Sequence, residues 1–195
     1  MPKSPNRPAT YADLEALPDN VVGELIDGEL FASPRPGPRH AQVIGVLNAL
    51  LWTHLQSASA DRPSTWRFLI EPELHFGPNA VVPDVAGWRA SRMPTLPETA
   101  FIELAPDWIC EVASPSTAKL DRKKKLPLYA KAGVNHVWLV DPAIRTLDAL
   151  QRDGKRWLLL GTWSDDDRAA IEPFSELELD LSALWAEVIP SVHDG

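Results

Sequence analysis

The stretch at residues 106–142, PDWICEVASPSTAKLDRKKKLPLYAKAGVNHVWLVDP, combines an acid in an apolar strand, a basic helix and a second apolar strand. Residues 108–113 form a short apolar run that is typical of a strand buried on both faces, and Glu111 interrupts it. Burying a carboxylate without a partner costs on the order of several kcal/mol. We therefore expect Glu111 to be neutralised by a metal cation, by a lysine or by protonation.

A basic helix is predicted to follow this strand and to end at Gly133, which suits the left-handed residue after a helix. Candidate N-cap oxygens are those of Ser114, Ser116 and Thr117. The dense basic cluster of the chain consists of Lys119, Arg122, Lys123, Lys124, Lys125 and Lys131. Pro127 lacks the backbone N–H that a helix interior needs, so the helix either starts late, around Lys124, or is kinked.

One face of this helix carries Asp121, Lys125 and Tyr129, which are four residues apart. The next element, residues 134–140, is rich in strand-forming side chains. A strand, a helix and a strand in this order predict a right-handed βαβ unit with parallel strands. Glu111 would then lie near the carboxyl end of its strand, where α/β sheets bind their ligands.

Composition indicates an ordinary globular protein of one domain. The chain has 195 residues, and the formal net charge of −8 argues against a general nucleic-acid coat protein but does not exclude a nucleic-acid enzyme with a local basic patch. It lacks an apolar run of about 20 residues and an apolar signal sequence, so we expect a cytoplasmic protein with no membrane partner. Residues 1–9 are predicted to be a frayed tail, and residues 10–190 a single domain.

The N-terminal half contains a hairpin and a long helix. A short helix is predicted after Thr10, with Asp13 completing a capping box. Residues 21–31, VVGELIDGELF, predict a hairpin with Asp27-Gly28 in a type I′ turn. Residues 39–56 have the apolar periodicity of a helix.

Strands are predicted on both sides of the central stretch. Residues 66–76 have a strand-like pattern, although Pro72 indicates a break, a bulge or an edge position. Residues 81–88 predict an apolar strand that Pro83 and Asp84 interrupt, and Asp84 is expected to be the second buried acid. After Pro142, residues 152–155 predict the turn of a C-terminal hairpin.

These elements suit one kind of chemistry. Two carboxylates on neighbouring strands, Asp84 and Glu111, can hold Mg²⁺, which prefers oxygen ligands and keeps several waters. A nearby lysine can position or deprotonate an attacking water and offset the charge that develops on a phosphate. The combination predicts metal-assisted phosphodiester hydrolysis.

Several motifs resemble the PD-(D/E)XK nuclease superfamily, and more closely its Uma-type branch of restriction endonucleases. They are ELIDGEL from Glu24, His40 at the start of the long helix, Pro83-Asp84, EVASPST from Glu111, DRKKKLPLY and GVNHVWLVDP. The resemblance extends from Tyr11 to about Trp185, and its most specific part is the block from Glu111 to Pro142.

The resemblance implies an α/β fold with a restriction-endonuclease-like αβββαβ core, an N-terminal β-hairpin and a C-terminal β-hairpin extension. It implies Mg²⁺ between the acids, with Mn²⁺ as a substitute, and DNA as the substrate. Asp84 matches the aspartate of the family's Pro-Asp motif, and Glu111 matches its central acid. The carbonyl of Val112 would be a further metal contact.

The chain departs from the superfamily pattern at Ala113, where a lysine is expected two positions after Glu111. The lysine role would pass to Lys125, which matches the position that this branch uses. The long helix carries no glutamate, so the extra metal-binding acid would be Glu24 from the hairpin. His40 would contact a phosphate or act as an acid or base.

Three functions remain open on these grounds. The leading hypothesis is a Mg²⁺-dependent endonuclease that hydrolyses DNA phosphodiester bonds. The second is a catalytically weak or inactive module of the same fold that binds nucleic acid or protein, and the third is a metal-dependent hydrolase of a small phosphorylated substrate. A homodimer is expected for the nuclease, because cutting both strands often requires two sites.

Overall fold

The computed structural model describes residues 7–57, 63–114 and 117–186. Its elements are α1 (Tyr11–Glu15), β1 (Val21–Ile26), β2 (Glu29–Pro34), α2 (Pro38–Leu51), β3 (Trp66–Ile70), β4 (Leu74–Phe76), β5 (Asn79–Val81), β6 (Val85–Arg89), β7 (Trp108–Val112), α3 (Ala118–Leu120), α4 (Leu126–Ala132), β8 (His136–Asp141), β9 (Thr146–Asp153), β10 (Arg156–Ser164), β11 (Arg168–Ala170), β12 (Glu178–Asp180) and α5 (Ser182–Trp185). Two π-helical turns, Trp52–Gln56 and Asp121–Lys125, continue α2 and join α3 to α4.

The main sheet has six strands in the order β10-β9-β8-β7-β6-β3. Strands β3, β6 and β7 are antiparallel neighbours, whereas β7 and β8 are parallel and joined by the α3–α4 helical segment. With α2 in front, this is the predicted αβββαβ order, and β9 with β10 forms the predicted C-terminal hairpin extension. The prediction of the fold is confirmed.

Side chains of β7 alternate between two apolar layers. Trp108, Cys110 and Val112 pack with α2 and a cluster of aromatic rings on one face. Ile109 packs on the other face with residues of α4. Strand alternation puts Glu111 on this second face, toward the helix that carries the lysines.

A second sheet of four strands, in the order β2-β1-β5-β4, was not predicted. The predicted strand at 66–76 breaks after Ile70, at Glu71 with φ of 47°, and its two parts join different sheets. The predicted strand at 81–88 divides as well, because Val81 ends β5 and Val85 begins β6. The interruption expected at Pro83 and Asp84 is thus a division between two sheets, and Asp84 lies in the short crossover between them, where it is partly exposed rather than buried as predicted.

The basic helix differs from both alternatives that Pro127 suggested. It starts early, at Ala118, and a π-helical turn at Asp121–Lys125 precedes α4. The N–H of Leu126 donates to the carbonyl of Asp121, which lies five residues earlier. Pro127 is then in the first turn of α4, where a missing N–H costs little. Thr117 occupies the N-cap position without a side-chain cap, and the candidate Ser116 lies outside the described residues.

The remaining predictions of local structure agree with the structure. Asp27 and Gly28 have φ values of 50° and 74°, as a type I′ turn requires, and Thr10 with Asp13 forms a capping box. Most of the predicted tail and the boundary at residue 190 fall outside the described residues and stay predictions. No helix in the described ranges is long and apolar enough to cross a bilayer.

Gly87 of β6 tests the packing of the aromatic layer. A Cβ atom there would lie 2.8 Å from Cε1 of Phe68 and 3.2 Å from Cε3 of Trp108, and both rings are buried. We expect Gly87→Ala to lower the free energy of unfolding by about 1–3 kcal/mol, as overpacking does. Urea denaturation measures it. The matched control is Gly45→Ala in α2, where the new Cβ meets no atom within 4 Å and should stabilise the helix by up to about 1 kcal/mol. Equal effects of the two changes would contradict this packing.

Candidate active site

A cavity lies at the carboxyl end of β7, between the β1–β2 hairpin, the start of α2 and the π-helical turn. It offers about 90 Å³ of space to water molecules. An ion pair between Arg35 and Glu71 lies at its lining. The other charged or titratable residues that line it are Glu24, His40, Asp84, Glu111, Asp121 and Lys125. All five side chains predicted from sequence therefore face one cavity, together with Asp121.

Asp84 and the backbone of Val112 meet at one side of the cavity. Oδ2 of Asp84 accepts a hydrogen bond from the N–H of Val112 at 2.6 Å. Nε2 of His40 lies 2.8 Å from the carbonyl oxygen of Val112 and 3.2 Å from Oδ2 of Asp84. Both neighbours are acceptors, so Nε2 carries the hydrogen. Two of the predicted metal ligands thus converge on a single donor atom.

Glu111 and the helix meet at the other side. Oε1 of Glu111 accepts a hydrogen bond from the hydroxyl of Tyr129 at 2.5 Å and pairs with Nζ of Lys125 at 2.9 Å. The helical face predicted from the four-residue spacing is therefore the face that turns toward the cavity. Tyr129 is fully buried, and it fixes one oxygen of Glu111.

Lys125 is the centre of this side. Besides Glu111, its Nζ lies 2.9 Å from Oε1 of Glu24 and 3.6 Å from Oδ1 of Asp121, and it donates to the carbonyl of Val82 at 3.2 Å. Its side chain is only 3% exposed. Lys125 therefore places an ammonium group beside Glu111, although the residue two positions after Glu111 is Ala113.

Burial and crowding of like charges set the pKa values in the cavity. Burial raises the pKa of Glu111 well above its usual range; Lys125 opposes this, while Asp121, Asp84 and Glu24 add to it. Burial would lower the pKa of Lys125, but Glu111 and Glu24 outweigh it and raise that pKa. The pKa of His40 is raised in spite of burial, mainly by its hydrogen bond to Asp84. The cavity therefore holds more carboxyl groups than cationic groups.

The donor set suits a hard divalent cation. In the described parts of the chain, no three side chains of His, Cys, Asp or Glu gather as a ligand set for a metal ion. Mg²⁺ does not need such a cage, because it binds through one or two carboxylates and keeps several waters. Asp84, Glu111 and the Val112 carbonyl supply oxygen donors, and the cavity has room for water. The residues present therefore fit Mg²⁺.

Residues 8–182 match a family model described as "Uma2: Putative restriction endonuclease". The match covers most of the chain. The protein belongs to the Uma2 family.

A solved structure gives this Uma2 protein a relative of known fold. A crystal structure described as that of a "putative nuclease belonging to DUF820" from Anabaena variabilis superposes with a TM-score of 0.71. The two chains are 23% identical, and the match covers 93% of this chain and 100% of the other. At that identity the likeness shows the fold alone. No curated protein matches the chain.

In this Uma2 protein two side chains join the site without having been predicted there. Asp121 lies within ion-pair distance of Lys125, and the hydroxyl of Tyr129 donates to Glu111. Their four-residue spacing around Lys125 was the signal that could have assigned both to the site. The contact of Lys125 with the Val82 carbonyl had no such signal, because it involves a backbone atom.

Asp121 gives the Uma2 site a measurable pH dependence. Burial raises its pKa from 3.8 to about 6. The folded state then holds this proton more tightly than the unfolded state, so this group lowers stability as pH rises from about 4 to about 6. Asp121→Asn removes the effect.

We expect the stability of Asp121→Asn relative to wild type to increase across this window by up to about 3 kcal/mol and then to level off. Urea denaturation with EDTA at several pH values measures it, with the exposed Asp19→Asn as the surface control. A difference that stays constant with pH would contradict the assignment.

Proposed function

We propose that this protein is a Mg²⁺-dependent endonuclease that hydrolyses DNA phosphodiester bonds. One observation carries the proposal: Oδ2 of Asp84 and the carbonyl of Val112 converge on one atom, Nε2 of His40, at the edge of a cavity that Glu111 also lines. The nuclease descriptions of the family and of the related structure support it.

Asp84, Glu111 and the Val112 carbonyl would hold the ion. When bound, Mg²⁺ supplies Lewis-acid stabilisation of the phosphate charge and lowers the pKa of a coordinated water. The N–H of Val112 holds Oδ2 of Asp84, and Tyr129 holds Oε1 of Glu111, so both carboxylates are oriented before an ion binds.

In this proposal two residues, His40 and Lys125, act on the phosphate group of the substrate. Nε2–H of His40 can donate to a phosphate oxygen at the place where it now meets Asp84 and Val112. Lys125 offsets negative charge that the acids and a phosphate share. Arg35 at the rim and the exposed neighbours Arg39 and Lys119 favour a polyanionic strand.

One observation favours a second candidate, the module without turnover. Lys125 is buried and already paired with Glu24 and Glu111, so its charge is neutralised within the protein. Such a protein would keep the fold and bind nucleic acid or protein without cleaving it.

The deciding assay uses plasmid and single-stranded DNA with Mg²⁺, Mn²⁺ or EDTA, together with a small phosphomonoester. The folded double variant Asp84→Ala/Glu111→Ala gives the background. Metal-dependent DNA cleavage above that background supports the proposal. If the protein cleaves no DNA and Mn²⁺ titration produces no heat, the second candidate is favoured. Activity on the phosphomonoester alone would favour a small-molecule phosphatase.

We also propose that the protein forms a homodimer through β10, the edge strand of the main sheet. Three consecutive residues, Leu158, Leu159 and Leu160, are 56%, 54% and 37% exposed there. Lys155 precedes β10 and Asp165 follows it, so an antiparallel pair of β10 strands places the basic end of each copy beside the acidic end of the other. The β10 surface is therefore apolar, and its charges are complementary to those of a second copy of the same surface.

Sedimentation analysis tests this interface. We expect a dimer for wild type and for Ile144→Asp, a control at another exposed apolar residue, and a monomer for Leu159→Asp. The charge pairing further predicts dissociation of Lys155→Glu and partial recovery in Lys155→Glu/Asp165→Lys. A monomeric wild type, or a dimer that Leu159→Asp leaves intact, would contradict the interface.

A further inference from the structure

The segment Val82-Pro83-Asp84 connects the two sheets and belongs to a strand of neither. Val81 is the last residue of β5 in the small sheet, and Val85 is the first residue of β6 in the main sheet. Pro83 has no N–H to contribute. The position of Asp84 therefore depends on contacts from elsewhere in the chain.

Two site residues supply those contacts at the peptide groups of Val82. Oε1 of Glu24 accepts a hydrogen bond from the N–H of Val82 at 2.9 Å, and Nζ of Lys125 donates to the carbonyl of Val82 at 3.2 Å. Glu24 and Lys125 also pair with each other at 2.9 Å. The three residues form a closed ring, which we name the Val82 clamp.

Beyond the clamp, Asp84 is held at two further points. Its carbonyl accepts a hydrogen bond from the N–H of Glu71 at 3.0 Å, and its Oδ2 accepts from the N–H of Val112 at 2.6 Å. The clamp thus restrains the chain on the N-terminal side of Asp84, where no backbone bond of a sheet does so. Pro83, with its fixed φ, transmits that restraint over one residue.

We propose that Glu24 and Lys125 are positioning residues: they hold the Val82 peptide groups and so aim the Asp84 carboxylate at the Val112 backbone. This inference rests on the proposed function, and it gives Glu24 a role different from that of a metal ligand. Glu24 uses Oε1 for both of its observed contacts, and both lead to the clamp.

Substitutions of Glu24 separate the two roles because they differ in what they keep. Glu24→Gln keeps an oxygen that can accept from the Val82 N–H, whereas Glu24→Ala loses it. A positioning role predicts that Mn²⁺ affinity, measured by calorimetry on folded protein, falls about 10- to 100-fold in Glu24→Ala and is largely recovered in Glu24→Gln. Equal losses in the two variants would make Glu24 a ligand and overturn the inference. The control is Glu29→Gln, an exposed acid on the same hairpin.

A second readout needs no metal. In the EDTA-treated protein the Val112 amide, which donates to Asp84, should exchange its hydrogen at least about 10-fold faster in Glu24→Ala than in wild type or Glu24→Gln. The exchange rate of the Ala149 amide, in β9, serves as an internal reference for global unfolding. Unchanged Val112 exchange in Glu24→Ala would overturn the clamp.

The two readouts keep the inference distinct from the proposed function. Faster exchange at Val112 in Glu24→Ala, in a protein whose wild type binds no Mn²⁺, would support the clamp and reject the metal-dependent nuclease. Mn²⁺ binding and DNA cleavage by wild type, with Val112 exchange and Mn²⁺ affinity unaffected by Glu24→Ala, would support the nuclease and reject the clamp.

Discussion

Replacing Asp84 by Asn is expected to lower the rate of Mg²⁺-dependent DNA cleavage roughly 1,000-fold, which corresponds to about 4 kcal/mol in the activation free energy. The side-chain oxygen of Asn can still accept from the Val112 N–H, so the local structure should persist. The negative charge that an ion requires is lost. A supercoiled plasmid assay at saturating Mg²⁺ measures the rate.

The matched control for this change is Asp166→Asn, which removes one carboxylate from an exposed loop. It should cleave at the wild-type rate. Thermal unfolding of both variants with EDTA checks that Asp84→Asn remains folded. Retention of more than about a tenth of wild-type activity by folded Asp84→Asn would contradict a metal-binding role for this carboxylate.

Lys125→Met is expected to lower the free energy of unfolding at neutral pH by about 3–5 kcal/mol. The change removes the cation from Glu24, Glu111 and Asp121, all of which are about 95% buried or more. Methionine fills the volume of the lysine stem, so the loss measures uncompensated charge rather than a cavity. The cost should shrink toward pH 5, because the pKa of Glu111 and that of Asp121 are raised by burial and these acids then take up protons.

The neighbouring Lys124→Met is the control for Lys125→Met. Lys124 pairs with Glu29 at 3.1 Å, but both side chains are well exposed, and such pairs contribute at most about 1 kcal/mol. Urea denaturation between pH 5 and 8 compares the two variants. Equal and pH-independent losses would show that Lys125 is not the counter-ion of the buried acids.

The central part of the fold was predictable because its signals are local. The apolar run around Glu111, the helix end at Gly133 and the Asp27-Gly28 turn each depend on a few adjacent residues, and the structure has these elements near the predicted positions. The face of the basic helix was predictable for the same reason, since Asp121 and Lys125 are one turn apart.

The division of two predicted strands between sheets was not predictable to the same extent. Pro72 and Pro83 indicate where strand pairing stops, but the choice of a partner sheet depends on distant residues such as Leu25, which pairs with Ala80. The π-helical turn before Pro127 also escaped prediction, because Pro127 allows several ways of accommodating its missing N–H.

The interior of the site shows the same limit. The resemblance to known nucleases indicated which side chains face the cavity, and the cost of burying an acid pointed independently to Glu111. They gave no indication that Glu24 and Lys125 both contact Val82, since backbone groups have no sequence signature. The short supply of positive charge around four carboxyl groups likewise emerges only from their spatial arrangement.

The most direct test of the central claim is anomalous diffraction from a crystal soaked in Mn²⁺. We predict one strong peak at about 2.0–2.3 Å from a carboxylate oxygen of Asp84, a carboxylate oxygen of Glu111 and the carbonyl oxygen of Val112. A well-ordered crystal with no peak at this position under saturating Mn²⁺, or with Mn²⁺ bound only elsewhere, would contradict the claim that these two acids share one divalent ion.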